Sequence, residues 1–469
     1  MALDPERLGS IDEFGDRIKI IPAEVRGFYR KHRTWTQFIL LLIFLLLPWT
    51  TIHGQQTLLL DIAARRFSIF GLTFWAHDAP LVFFILGTLT VGLAFVTSVW
   101  GRVWCGWACP QTVFIDAVFR RIEIFVQGKY IQRRQLYSGP LSFSKIWKIS
   151  LTWILFFIVS SVIAHSFIAY FVGAEKLVQM IQGSPSENWN YFLIVTIMSL
   201  AVLFDFGWFR EQFCIIMCPY GRFQSVLLDQ KSLAIVYDSK RGEPRKGLAK
   251  PGEKPGDCVS CNRCVQVCPT GIDIRKGLQM ECIACTACAD ACDEIMTKVK
   301  KPKGLIGYSS LDGSKVNLLK PRSIIYMFLI LIFISGLAYN IITREKAQVF
   351  LMRGQDAPYS IIKDENGENI VLNHFKLQIQ NQDFTEAHYE LSIPDKWQKN
   401  GVQLIVAQNP MTAKSGEIIT WHFFVRFKEQ LLPADGKLTA LISIQDLNQE
   451  PDHFKTIKEF TLMGPAHAP

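Results

Sequence analysis

The chain has 469 residues, 49% apolar and 19% charged, with a mean hydropathy of +0.19. That is too apolar for an ordinary soluble protein, and it excludes both disorder and a small disulfide-stapled secreted fold. A formal charge of +9 would suit nucleic acid in a soluble chain, but in a membrane protein it marks the cytoplasmic loops, so no nucleic-acid partner is expected.

Residues 1–34 carry scattered acids and bases and no small-residue cleavage site, so they read as a cytoplasmic segment rather than a signal peptide. Five apolar runs then approach or reach the roughly 20 residues of helix that cross a bilayer. They lie at 35–52, 79–100, 149–172, 191–208 and 323–342. Loop 101–148 holds eight basic residues, whereas loop 53–78 has only Arg65 and Arg66 and loop 173–190 only Lys176. This bias places the N-terminus and loop 101–148 in the cytoplasm, and five crossings then put everything after residue 342 on the far side. The expected plan is a four-helix membrane domain over 35–237, a cytoplasmic insert over 238–322, a fifth helix at 323–342 and a far-side domain over 343–469.

All twelve cysteines fall between Cys105 and Cys292. Four of them repeat a motif. Cys105-x3-Cys109-Pro110 follows the second span and Cys214-x3-Cys218-Pro219 the fourth. Trp104 and Phe213 precede the pairs, Arg102 and Arg210 lie just upstream, and Phe114 and Phe223 follow at equal distance. The membrane domain therefore reads as a duplicated hairpin. On a continuous helix the two thiols of each pair would share a face. The proline fits the first turn of a new helix or forces a break. Paired soft thiolates suit Cu(I), an iron–sulfur centre or a redox dithiol; buried cysteines that merely fill space are the bland alternative.

The remaining eight form Cys258-x2-Cys261-x2-Cys264-x3-Cys268-Pro269 and Cys282-x2-Cys285-x2-Cys288-x3-Cys292, the spacing of the bacterial two-cluster ferredoxin. In that arrangement three cysteines wrap one cluster and the fourth ligates the other. One [4Fe–4S] cluster is thus assigned to Cys258, Cys261, Cys264 and Cys292, and the second to Cys282, Cys285, Cys288 and Cys268. Asp293 stands where a second proline would be. Zinc would take one closed set of four ligands, and disulfides would be reduced in the cytoplasm. The Lys-, Pro- and Gly-rich flanks 240–256 and 300–322 read as linkers.

Beyond residue 342 the pattern changes to short alternating runs: 375–379, 388–393, 402–407, 418–427, 438–444 and 457–463, divided by turn signals such as Asn366-Gly367 and Asp435-Gly436. An antiparallel immunoglobulin-like sandwich without an intersheet disulfide is expected there, most simply as an interaction surface. His53, His77 and His165 lie near the far side of the helices and are weighed as ligands, but they stay outside the assigned site. His388, His422 and His453 read as strand or surface residues.

Two Cys-x3-Cys-Pro motifs at membrane edges, an inserted two-cluster ferredoxin and a trailing β domain, in that order, resemble the cytochrome c oxidase accessory proteins of the CcoG/FixG/RdxA family. The likeness covers essentially the whole chain. The membrane motif alone is shared with quinol-linked relays of the periplasmic nitrate reductase type. The resemblance implies a multi-pass bacterial inner-membrane protein with a periplasmic C-terminal domain. It also implies reduction of Cu(II) to Cu(I) for the copper centre of cbb-type cytochrome oxidase, an oxidoreductase activity on metal ions. Cys105, Cys109, Cys214 and Cys218 would then carry the reaction and hold copper as substrate or transient ligand. Expected partners are membrane lipid, a cytoplasmic electron donor, copper carriers, oxidase subunits or assembly factors, and a second copy of the chain. The alternatives are a quinol-linked relay to a periplasmic enzyme and a non-catalytic assembly scaffold.

Overall fold

The computed structural model describes residues 19–52, 54–63, 66–70, 72–75, 79–252, 254–310, 320–363, 368–383, 385–414, 416–448 and 454–466. His53, His77 and His453 lie outside them. The chain forms two compact units: a helical, cysteine-bearing unit and a β unit that takes in the chain from Tyr339 onward.

Among the described residues, four helices are long and apolar enough to cross a membrane: Pro80–Trp100, Phe143–Val172, Trp189–Phe209 and Pro321–Ile342. They match four of the five expected spans. The first expected span, 35–52, differs. Its helix is Phe28–Leu46, seven residues earlier, and a short 3-10 turn Leu47–Trp49 follows it. Arg30, Lys31 and Arg33 occupy its first two turns, so its apolar part is too short to qualify by composition. Arginine is a strong helix former, and the helix extends toward its N-terminus through the basic residues that the hydropathy pattern treats as loop. Short strands lie between helix Phe28–Leu46 and helix Pro80–Trp100 in the chain, at Thr51–Ile52, Gln55–Gln56, Leu58–Asp61, Arg66–Ile69 and Leu72–Trp75.

The described parts of the ferredoxin segment's flanks are folded with it. Strand Leu233–Tyr237 pairs antiparallel with Ile306–Ser310, Leu233 opposite Ser310 and Tyr237 opposite Ile306. Within the expected linker 240–256, the Gly256 amide donates to the Pro244 carbonyl, and the Lys246 amide donates to the Cys258 carbonyl just beyond it. Composition reads Lys, Pro and Gly as a tether, but here the backbone donors are satisfied by the domain itself. The fold therefore starts inside the expected membrane domain, at Leu233.

The β unit is the expected sandwich. One antiparallel sheet runs Gln403–Val406, Ile418–Lys428, Asn369–Asn381, Ala347–Arg353, with Ser360–Lys363 also paired to Asn369–Asn381. The other runs Met411–Ala413, Ala387–Ser392, Lys437–Asp446, Lys455–Met463. All six strands read from the alternation are present. Period-2 spacing sends Phe375, Leu377, Ile379, Phe423 and Val425 of the first sheet inward against Tyr389, Leu391, Ile442, Ile444 and Leu462 of the second. Burying each such side chain contributes roughly 1.5–3 kcal/mol.

A buried amide ties the sheets together. Asn373, fully buried in the first sheet, accepts from the Met463 amide at 2.7 Å and donates to its carbonyl at 2.8 Å in the second. Asn373→Ala leaves both backbone groups unpaired and is expected to cost about 2 kcal/mol. Hydrogen exchange across Asn369–Asn381 should then quicken roughly thirtyfold; unchanged exchange would show that the bridge is dispensable.

Candidate functional site

Both membrane-edge pairs adopt the same backbone turn. The Cys109 amide donates to the Trp104 carbonyl at 2.9 Å and the Cys218 amide to the Phe213 carbonyl at 2.8 Å, each spanning five residues. Cys109 and Cys218 are extended and cap helices Pro110–Phe114 and Pro219–Leu227, with proline in the first turn of each. The pairs therefore do not lie on one face of a continuous helix: the proline ends one helix and starts another. Cys105 sits in helix Val103–Trp107, and Cys214 in a π-helical turn, Phe213–Met217. Further π turns, Ile115–Phe119 and Leu203–Phe209, flank the motifs, as is frequent at functional sites.

The two pairs meet. Burial pushes the Cys105 thiol up to about 11, with Cys109 and Cys218 adding to the rise and a hydrogen bond from Gln224 opposing it. Gln224 reaches the Cys105 sulfur at 3.1 Å. Burial also raises Cys214, and Cys109, Cys105 and Cys218 push it further. At Cys109, burial raises the thiol while the amides of Gln111 and Thr112 draw it back down. Among the described residues no three His, Cys, Asp or Glu side chains converge as around a single ion.

The ferredoxin cysteines surround two adjacent cavities. Cys258, Cys261, Cys264 and Cys292 line one. Cys268, Cys282, Cys285 and Cys288 line the other, with Cys264 in both walls. These are the two sets of four that the spacing assigns. The loops are copies of one another: Ser260 and Asn262 in the first, and Ala284 and Thr286 in the second, all have φ between 53° and 61°. Left-handed residues at matching places curl each Cys-x2-Cys-x2-Cys loop around its cavity. Helix Ala287–Lys298 runs unbroken through Cys292, which accounts for Asp293 in place of a second proline, since proline there would break the helix.

The residues fit iron–sulfur clusters. Burial holds Cys264 up at about 11 and Cys282 and Cys292 at about 12, and it raises Cys268 and Cys288 as well. Thiols so buried give up their protons only opposite strong positive charge, which iron supplies.

The membrane edge and the second cavity are in contact. Cys105 and Cys214 pack into the same apolar cluster as Ile283, Cys285 and Cys288. Arg102 donates to the Cys282 carbonyl at 3.1 Å, to that of Met280, and at 3.0 Å to that of Gly221. Buried Arg33 donates to the Cys285 carbonyl at 2.7 Å. A Cβ on Gly106 would stand 2.6 Å from the Ala284 carbonyl oxygen, so only glycine permits this approach. Trp107 donates to the Tyr308 hydroxyl at 2.9 Å.

Arg102 and Arg210 are equivalent flanks in the sequence, but they diverge in the fold: Arg210 has a φ of 55° and pairs with buried Glu123 at 2.6 Å. Arg33 carries only the charge signal of a basic stretch before a span, and Gln224 carries no sequence signal. The positive-φ positions have a sequence signal, the equal register of the two loops. His165 bonds the Ser161 carbonyl one turn back at 2.7 Å, His388 the Thr412 hydroxyl at 2.8 Å, and His422 is an exposed strand residue.

Four membrane-length helices and two four-cysteine cavities define a membrane-associated iron–sulfur electron-transfer protein. A family described as 4Fe-4S dicluster domain matches residues 209–311, 4Fe-4S binding domain matches 81–130, and IG-like fold at C-terminal of FixG matches 337–465. Proteins of the FixG/RdxA type are homologues of this chain at 36–38% identity. The chain is 37% identical over 303 residues to protein RdxA of Cereibacter sphaeroides, 64% of each chain. To nitrogen fixation protein FixG of Rhizobium meliloti it is 38% identical over 314 residues, 64% of this chain and 59% of that one. It thus spans less than two thirds of the length of these curated relatives. Among solved structures, a FixG-related protein from Vibrio parahaemolyticus matches at 16% identity and a TM-score of 0.20, over 26% of this chain and 97% of that one.

Proposed function

We propose that this chain is a one-electron wire of a bacterial inner membrane that reduces Cu(II) to Cu(I) at Cys105, Cys109, Cys214 and Cys218, for the copper centre of cbb-type cytochrome oxidase. The observation that carries the reading is the burial of Cys105 and Cys214 against Cys285 and Cys288. The clusters, when bound, supply one-electron transfer. The chain's own part is to fix distance: Arg102 and Arg33 clamp the Cys282 and Cys285 carbonyls to the membrane edge. Cu(II) is the substrate; it takes one electron and leaves as a cuprous ion that soft thiols hold well. Loop basicity supports placing the ferredoxin segment in the cytoplasm and the β unit in the periplasm, where it would meet oxidase subunits or copper carriers. The electron donor would be cytoplasmic.

The test is anaerobic. The reduced full-length protein is mixed with Cu(II) while cluster absorbance and a Cu(I)-specific chelator are followed together. One Cu(I) per electron lost is the expected result. Clusters that stay reduced would overturn the copper reading and make quinone the next acceptor to try.

A second reading is favoured by one observation: a 4Fe-4S binding family matches residues 81–130, where the only cysteines are Cys105 and Cys109. The four edge thiols would then hold a third cluster. Iron analysis separates the readings, at about eight irons per chain for two clusters against about twelve for three.

A further inference from the structure

A cleft of about 810 Å3 opens where helix Phe28–Leu46 meets the ferredoxin loops, within the size range of small-molecule sites. Its wall is strongly cationic. Nine basic side chains line it, among them Arg26, Arg30, Arg33, Arg121 and Arg133, against the three carboxylates of Glu24, Asp116 and Glu294. Glu211 and Glu123, just behind the wall, take up Arg120 and Arg133. Even with these two counted, and Asp290, which holds the Tyr29 and Arg30 amides, nine cations face six carboxylates. The internal pairing is therefore incomplete. The Nε atoms of Arg33 and Arg133, both side chains nearly fully buried, have no hydrogen-bond partner among the described residues. Buried guanidinium donors are almost always satisfied in a finished site, and surplus positive charge in a walled cleft attracts anions. The cleft also reaches Pro269, Cys285 and Ala287, beside the second cavity.

We propose that this cleft binds a phosphate-bearing ligand, with the arginine forks taking a phosphate ester or diphosphate as they do elsewhere. Two sources share that chemistry: a soluble nucleotide such as a flavin mononucleotide, or the headgroup of an anionic lipid at the membrane edge. A reducing nucleotide held there would lie against the Cys285 loop, at an entrance for electrons. The binding itself does not depend on which metal the edge cysteines serve.

The test uses the full-length protein with its clusters, in nanodiscs of zwitterionic phosphatidylcholine. Flavin mononucleotide is titrated by fluorescence, with inorganic pyrophosphate as competitor. Phosphatidylglycerol nanodiscs provide the lipid arm, read as phosphatidylglycerol retained in native mass spectra. The variant is R26Q/R121Q, two lining arginines with no ion pair among the described residues; unchanged cluster absorbance shows that it folds. Saturable flavin binding that pyrophosphate displaces, salt weakens and the variant lowers about tenfold supports a soluble ligand. Retention of phosphatidylglycerol that the variant loses, without flavin binding, supports the headgroup. Absence of both, or binding that the variant leaves unchanged, overturns the proposal.

Discussion

Serine at both Cys105 and Cys214 is expected to cut Cu(II) reduction at least about a hundredfold while leaving the ferredoxin clusters in place. Changes one shell out from a metal already cost about 10–100-fold, and these are the residues proposed to touch it. The two thiols also pack in one apolar cluster with Cys285 and Cys288 of the second cavity. Serine keeps the shape but replaces a soft ligand with a hard one that binds Cu(I) poorly. The measurement is Cu(I) formed per electron under anaerobic conditions, with iron content determined on the same sample. About eight irons and no Cu(I) would place the acceptor at the edge. Iron falling from about twelve to eight would mean that the pair had held a third cluster. Reduction at the original rate would remove the edge cysteines from the reaction. A parallel C109S/C218S variant tests the thiols that precede the prolines at the starts of helices Pro110–Phe114 and Pro219–Leu227.

Local patterns were legible in the sequence; most long-range contacts were not. The apolar runs mark four membrane-length helices among the described residues, with ends that agree to within two residues except at Phe143, six residues before the run, because a long apolar run in a bilayer leaves no other stable option. The sandwich strands were visible because alternation is a property of neighbouring residues. The two sets of four cysteines could be assigned because their register in the chain fixes which loop closes on which cavity. Failures came where the deciding partner is far away in sequence. Arg33 reads as one of several basic residues before a span, yet it bonds the Cys285 carbonyl 252 positions on. The stretch 240–256 reads as a tether, since composition cannot show that its amides have partners inside the domain. Strand Ala347–Arg353 was missed because it follows helix Pro321–Ile342 within a few residues and carries no turn signal of its own. The Cys-x3-Cys pairs were half legible: proline announced the new helix, but the five-residue turn before it depends on π-helical geometry that spacing cannot show.

Asp116→Asn is expected to be among the most destabilising single changes in the helical unit. Its carboxylate is almost wholly buried, and Arg30, Arg33 and Arg120 all converge on it. Arg120 is shared with Glu211. Arg30 and Arg33 lie on the helix that opens at Phe28, Asp116 lies on the turn after Cys109-Pro110, and Arg33 continues to the Cys285 carbonyl. One carboxylate thus joins the first helix, a membrane-edge motif and a cluster loop. The amide keeps the volume but removes the charge, leaving three guanidinium groups close together in a poorly solvated place. Breaking a buried pair in this way costs roughly 3–5 kcal/mol, mostly through the uncompensated charge left behind. The expected readout is a lower midpoint for thermal loss of cluster absorbance, together with weaker protection from exchange around Cys285. A second variant separates charge from shape: adding R33M to D116N removes one orphaned cation and should recover part of the stability. If D116N alone left the midpoint unchanged, the carboxylate would not be the tie between the membrane edge and the ferredoxin loops. If D116N/R33M were no better than D116N, the bond from Arg33 to Cys285 would matter more than the charge balance.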